Sequence, residues 1–170
     1  MNREVRGRLL FVRVLSLALV HVGVGTAMGD ESTQSQALEQ RGSTQALRKA
    51  VAGLLYRSES DEPLEVVCWP GNGSPLETGT LLGLIHKPLN APVNTISLED
   101  FFRDLTTEKD WYNEKELAIM RRFRKLERLL RTRLSEIRVF RVGTVQVGIF
   151  IIGVTPEGNW LGVRTTSIET

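Results

Sequence analysis

The apolar positions divide the chain into a mostly helical first part and a β-rich final third. Leu47, Val51, Leu54 and Leu55 recur at helical spacing, which predicts a helix over 44–56. Ser43 or Thr44 suits its N-cap, because a hydroxyl can accept from the unpaired backbone N–H groups of the first turn. The segment 58–63 stops this helix, since the residue before Pro63 is pushed out of the α region. The run 64–69 then reads as a strand, closed by the turn residues Pro70-Gly71-Asn72-Gly73. The stretch 77–86 fits either a short helix or a buried strand, and Gly79 and Gly83 weaken the helix. A short strand at 93–96 is followed by Ser97 as cap for a helix over 98–105, with Asp100 in its first turn. The longest helix spans 113–134, where Ile119, Phe123, Leu126, Leu130 and Leu134 form one apolar stripe. Glu114 and Glu116 stand at its start and arginines toward its end, the polarity that the helix dipole favours.

Beyond that helix the period changes to two. Strands over 137–142 and 144–154 flank Gly143, and 160–166 follows the turn 155–159, which gives an antiparallel meander. Val145, Val147, Ile149 and Ile151 face one way; Gln146, Gly148, Phe150 and Ile152 face the other. Both faces become apolar, so this is a central strand covered on both sides. The expected architecture is α+β: a three-layer α-β-α sandwich with a largely antiparallel central sheet.

The N-terminal flank supports two readings. Four arginines, Glu4 and an apolar run from Val14 to Val24 make 1–29 a secretory signal, cleaved near Ala27. Alternatively, 1–29 is an over-extended start and translation begins at Met28. The first reading makes the protein periplasmic or secreted; the second makes it cytoplasmic. The run is short for a bilayer span, so no membrane anchor is expected in the mature form. The segment 30–43 is polar without periodicity and reads as a disordered lead-in, leaving 44–170 as one domain.

Charge and chemistry narrow the function. Residues 30–170 hold 18 cations against 19 carboxylates, a balance that argues against bulk electrostatic capture of nucleic acid. Cys68 is the only cysteine, so no intrachain disulfide exists, and its apolar surroundings predict a buried small hydrophobe. His86 is the only histidine after residue 29. No nucleophilic triad, zinc cluster or phosphate loop can be assembled, so neither an enzyme nor a cofactor is expected. Three features stay open on the residues alone. Glu59, Asp61 and Glu62 form either a solvated acidic turn or a phosphate mimic that meets arginines. Trp111 is either a core residue or an interface anchor. The basic face over 121–133 is either a solvated helix surface or a binding surface for nucleic acid or an acidic partner.

Several blocks taken together go further: Ser58-Glu59-Ser60-Asp61-Glu62-Pro63, then Thr106-Thr107-Glu108-Lys109-Asp110-Trp111-Tyr112, the turn Thr155-Pro156-Glu157-Gly158-Asn159, and Ile168-Glu169-Thr170. In this order and spacing, from about Gln45 to Thr170, the chain resembles the nuclease A inhibitor family. The resemblance implies the same sandwich fold. It also implies a 1:1 complex with a sugar-non-specific nuclease of the ββα-metal type, whose active site the inhibitor plugs. By that resemblance Glu59 meets a nuclease arginine, with Asp61 and Glu62 beside it. Lys109, Asp110 and Trp111 form a contact loop, and Thr170 engages the nuclease's metal. The sequence departs from the family at Lys109, which stands where a glutamine contacts basic groups; a lysine facing arginines repels them. The rival reading is a nucleic-acid or acidic-surface binding module that uses 121–133.

Overall fold

The computed structural model describes residues 30–169, with side chains from Leu38 onward. The signal or alternative start over 1–29 and the chain end at Thr170 lie outside the described residues. Four helices and seven strands follow one another: α1 (Asp30–Val51), β1 (Leu55–Arg57), β2 (Asp61–Pro63), β3 (Glu65–Trp69), α2 (Thr78–Leu84), β4 (Val93–Ile96), α3 (Leu98–Thr106), α4 (Glu114–Arg133), β5 (Ser135–Val142), β6 (Gln146–Val154) and β7 (Trp160–Ile168). Five strands form one antiparallel sheet in the order β3-β7-β6-β5-β4. The remaining two, β1 and β2, form a small antiparallel hairpin with Arg57 opposite Asp61. The fold is mixed α+β, as expected.

The meander β5-β6-β7 follows the predicted alternation. On β6, Val147, Ile149 and Ile151 join one core, while Phe150 and Ile152 join a second. The first core is filled by α1, α3 and α4 through Leu47, Phe102, Phe123, Leu126 and Leu130. The second takes Leu81 and Leu82 from α2, which resolves the ambiguous stretch 77–86 as a helix. On that side the cover is one seven-residue helix and the adjoining loops, thinner than the full third layer expected. β7 lies so close to β6 that a Cβ built at Gly162 would stand 1.9 Å from the Ile151 carbonyl oxygen. Only glycine fits there.

Three expectations need correction. The helix predicted over 44–56 ends at Val51, because Gly53 takes a left-handed conformation (φ 65°) and breaks the turn. Leu54 still enters the first core, but Leu55 starts β1 and is exposed. At its other end, α1 begins at Asp30, so the polar segment 30–43 is helical rather than a disordered lead-in. Tertiary contact holds it around residues 40–43: Ser43 is buried, and the Gln40 side chain donates to the Cys68 sulfur at 3.3 Å and accepts from Asn159 Nδ2 at 3.1 Å. Finally, Cys68 is exposed, because β3 is an edge strand paired only with β7.

Candidate functional site

The acidic turn is the tip of the β1-β2 hairpin. A three-residue loop, Ser58-Glu59-Ser60, joins the strands, and Glu59 is exposed at its centre. The loop is built by its own polar groups. The Ser58 N–H donates to the Ser60 carbonyl at 3.0 Å, and Ser58 Oγ donates to the same oxygen at 3.2 Å. The three carboxylates are not equivalent. Asp61 is paired with Arg57 Nε at 3.8 Å, and Glu62 accepts from Ser60 Oγ at 3.0 Å while half-buried. Glu59 is the carboxylate at the exposed centre of the loop.

The tip is fastened to the end of β7. The Ile168 N–H donates to Ser58 Oγ at 3.1 Å, across 110 positions of sequence. Thr165 Oγ1 donates to the Pro63 carbonyl at 3.0 Å. Glu169 follows, its N–H donating to the Val145 carbonyl at 2.9 Å and its carboxylate paired with Arg141. The Arg141 guanidinium also acts on the Tyr56 hydroxyl. Burial pushes the Tyr56 phenol above its usual value, and the Arg141 guanidinium partly offsets this. The Tyr56 ring stacks on Phe101 with centroids 5.6 Å apart, so the hairpin is tied to the first core as well as to the sheet.

The loop between α3 and α4 faces the same hairpin. A cleft of about 160 Å³ separates them, with Leu55 and Arg57 on one wall and Tyr112, Glu116 and Ile119 on the other. Trp111 is 73% exposed, which removes the core reading of this residue. Its ring meets Tyr112 edge-on at 6.3 Å, and the Lys109 ammonium lies 5.6 Å from its centroid. Lys109 is thus engaged with the Trp111 ring two residues on, and Asp110 between them is exposed. The loop ends in a rigid cap. Asn113 Oδ1 accepts from the Lys115 and Glu116 N–H groups, and the Glu116 carboxylate accepts from the Asn113 N–H. Two turns of α4 beyond this cap, the helix lines the cleft.

The structure thus brings the acidic tip into direct contact with the end of β7 and sets both hairpin and tryptophan loop on one cleft. Thr170 lies outside the described residues. Arg57, Tyr56 and Arg141 are participants that sequence reasoning missed, and no spacing in the sequence points to them. Among the described residues, no group of three or more His, Cys, Asp or Glu side chains could hold a metal ion. No curated protein matches the chain at a significant level. A family model described as nuclease A inhibitor-like protein matches residues 41–170.

Proposed function

Since the chain belongs to the nuclease A inhibitor-like family, we propose that it inhibits a metal-dependent, sugar-non-specific endonuclease by occluding its active site. The nuclease is of the ββα-metal type, and the complex is 1:1. Such an enzyme holds its substrate by the phosphate backbone, with arginines, lysines and a divalent cation. A carboxylate on a fixed turn can meet the same groups through charge-assisted hydrogen bonds. The observation that carries this reading is the anchored tip: Glu59 is exposed on a three-residue loop bonded to β7 through Ser58 and Ile168. Pre-fixing the loop avoids an ordering cost on binding.

In this mechanism Glu59 pairs with a nuclease arginine, with Asp61 and Glu62 at the rim. Trp111 supplies apolar contact, flanked by Asp110 and by Lys109. Thr170 brings oxygen atoms to the nuclease's metal, the hard ligands that Mg²⁺ accepts. The protein performs no chemistry and needs no cofactor. The test is a titrated nuclease assay on a ββα-metal enzyme. Glu59→Ala should weaken inhibition by about 2–5 kcal/mol, because it leaves a buried partner charge unpaired. Glu62→Ala should cost about 0–1 kcal/mol, as for exposed ion pairs. Equal, small losses from both variants would remove the role given to Glu59.

A further inference from the structure

The near-neutral balance of the domain conceals a division of charge. Between Arg121 and Arg133 seven cations stand against Glu127 alone, while the rest of 30–170 holds 11 cations and 18 carboxylates. We propose that the outer face of α4 is a second, separate surface that binds the phosphodiester backbone of nucleic acid.

The structure sorts the seven cations by what they touch. Arg122 donates to the Ala52 and Gly53 carbonyls, just past α1. Arg124 donates to the Thr106 carbonyl, the last residue of α3. These two cap the negative ends of neighbouring helices, an ordinary structural use. Arg131 is paired with Glu127 at 2.9 Å. Arg121, Lys125, Arg128 and Arg133 make no ion pair among the described residues and are all exposed. Arg121, Lys125 and Arg128 follow at spacings of four and three, so they form one row along the helix. Beside this row Arg124, Arg128 and Arg131, together with Glu127 and Thr132, border an open concavity of about 380 Å³. The buried side of α4 carries Met120, Phe123, Leu126 and Leu130, and the cleft below the hairpin is lined from that side. The basic row therefore points away from the cleft.

Arginine forks match carboxylates and phosphates alike, so the choice between an acidic protein and nucleic acid rests on the apolar content of the face. No exposed large apolar side chain lies on α4; those described are Leu38, Leu55, Leu89, Trp111 and Val145. A protein interface needs an apolar or aromatic anchor at its centre, and a polyanion does not. With no aromatic side chain in the row, bases cannot stack on it, so binding follows the backbone without sequence preference.

The experiment is anisotropy of a labelled 25-base-pair duplex of mixed sequence, titrated with the full chain at several salt concentrations. Weak binding is expected, with a dissociation constant of about 10⁻⁴–10⁻⁶ M at physiological salt. The slope of log affinity against log salt should be about −3 to −4, from roughly four phosphates neutralised. R121E/K125E/R128E should reduce affinity at least tenfold, and the milder R121Q/K125Q/R128Q should do so in part. R41E/R48E/K49E on α1 changes net charge equally and should cost less than threefold. Nuclease inhibition should be unchanged in R121Q/K125Q/R128Q, which keeps this surface distinct from the inhibitory one. Absence of binding at low salt, equal losses from the α1 variant, or competition by polyglutamate as effective as by unlabelled duplex would each overturn the proposal.

Discussion

Replacing Ser58 by alanine tests whether the anchored tip is what makes Glu59 effective. The Ser58 hydroxyl makes two bonds: it accepts from the Ile168 N–H at 3.1 Å and donates to the Ser60 carbonyl at 3.2 Å. Each such bond contributes about 0.5–1.5 kcal/mol net, and this site is exposed, so the low end applies. Ser58→Ala should therefore lower stability by only about 1 kcal/mol. The β1-β2 register and the Thr165 bond to Pro63 survive, and the hairpin should stay on the sheet. What is lost is the tie between the loop apex and β7. Fixing one backbone residue costs about 1–2 kcal/mol, a cost that the wild-type chain meets on folding and the variant would meet on binding. Inhibition should weaken by that amount, roughly 5- to 30-fold at 1.36 kcal/mol per tenfold change. Thermal denaturation gives the first quantity and tight-binding titration of the nuclease gives the second. If Ser58→Ala inhibits as well as wild type while Glu59→Ala does not, the tie to β7 has no part in inhibition. If both inhibit normally, the tip itself is not the contact.

Trp111→Ala should leave stability within about 0.5 kcal/mol, as for surface sites generally, yet weaken inhibition by about 2 kcal/mol if the ring is an interface anchor; unchanged titration curves would dismiss that role. Gly162→Ala should destabilise by about 3 kcal/mol or more, since its Cβ meets backbone rather than a movable side chain; a soluble variant with native denaturant midpoint would refute the close-approach argument. Burial raises the Tyr56 phenol above its ordinary value of 10.0, so the native chain keeps that proton longer than the unfolded chain. Its contribution is present below about pH 10 and is lost as pH rises through the folded value. Tyr56→Phe should therefore show a shallower fall in melting temperature above about pH 10 than wild type, and parallel curves would contradict it.

Much of the fold was legible because its signals are local. The alternation along β6 identified a central strand before any pairing was known, and the apolar stripe of α4 fixed which side of it is buried. Ser97 and the Asn113–Glu116 cap mark helix starts by chemistry that acts within three residues. What failed depended on distance. Leu55 continues a helical stripe in sequence, but one left-handed glycine moves it into a strand. The part of α1 around Gln40 has no apolar stripe to read; there the Gln40 side chain meets Cys68 and Asn159. The same limit applies to the site. Glu59 and Trp111 were visible as unusual residues, and neither exposure nor orientation followed from that. The bond from Ile168 to Ser58 and the Arg141 link between Tyr56 and Glu169 require strands that lie far apart in sequence, and the pairing of Asp61 with Arg57 requires a hairpin that a helix predicted through residue 56 conceals.

The pairing of β3 with β7 sets a timetable for synthesis. Glu65 lies opposite Arg164, so the edge strand emerges from the ribosome 99 residues before its only partner. At about 5–20 residues per second, that interval lasts roughly 5–20 s. Through it the nascent chain carries an unpaired β3, and the apolar side chains of α1 and α3 gain a sheet to cover only once β5 and β6 have emerged. The hairpin tip has no anchor until Ile168 arrives. Incomplete chains then lack the anchored tip and are prone to stick to one another. On the reading proposed above, only chains that are nearly finished hold Glu59 in the position that inhibition needs.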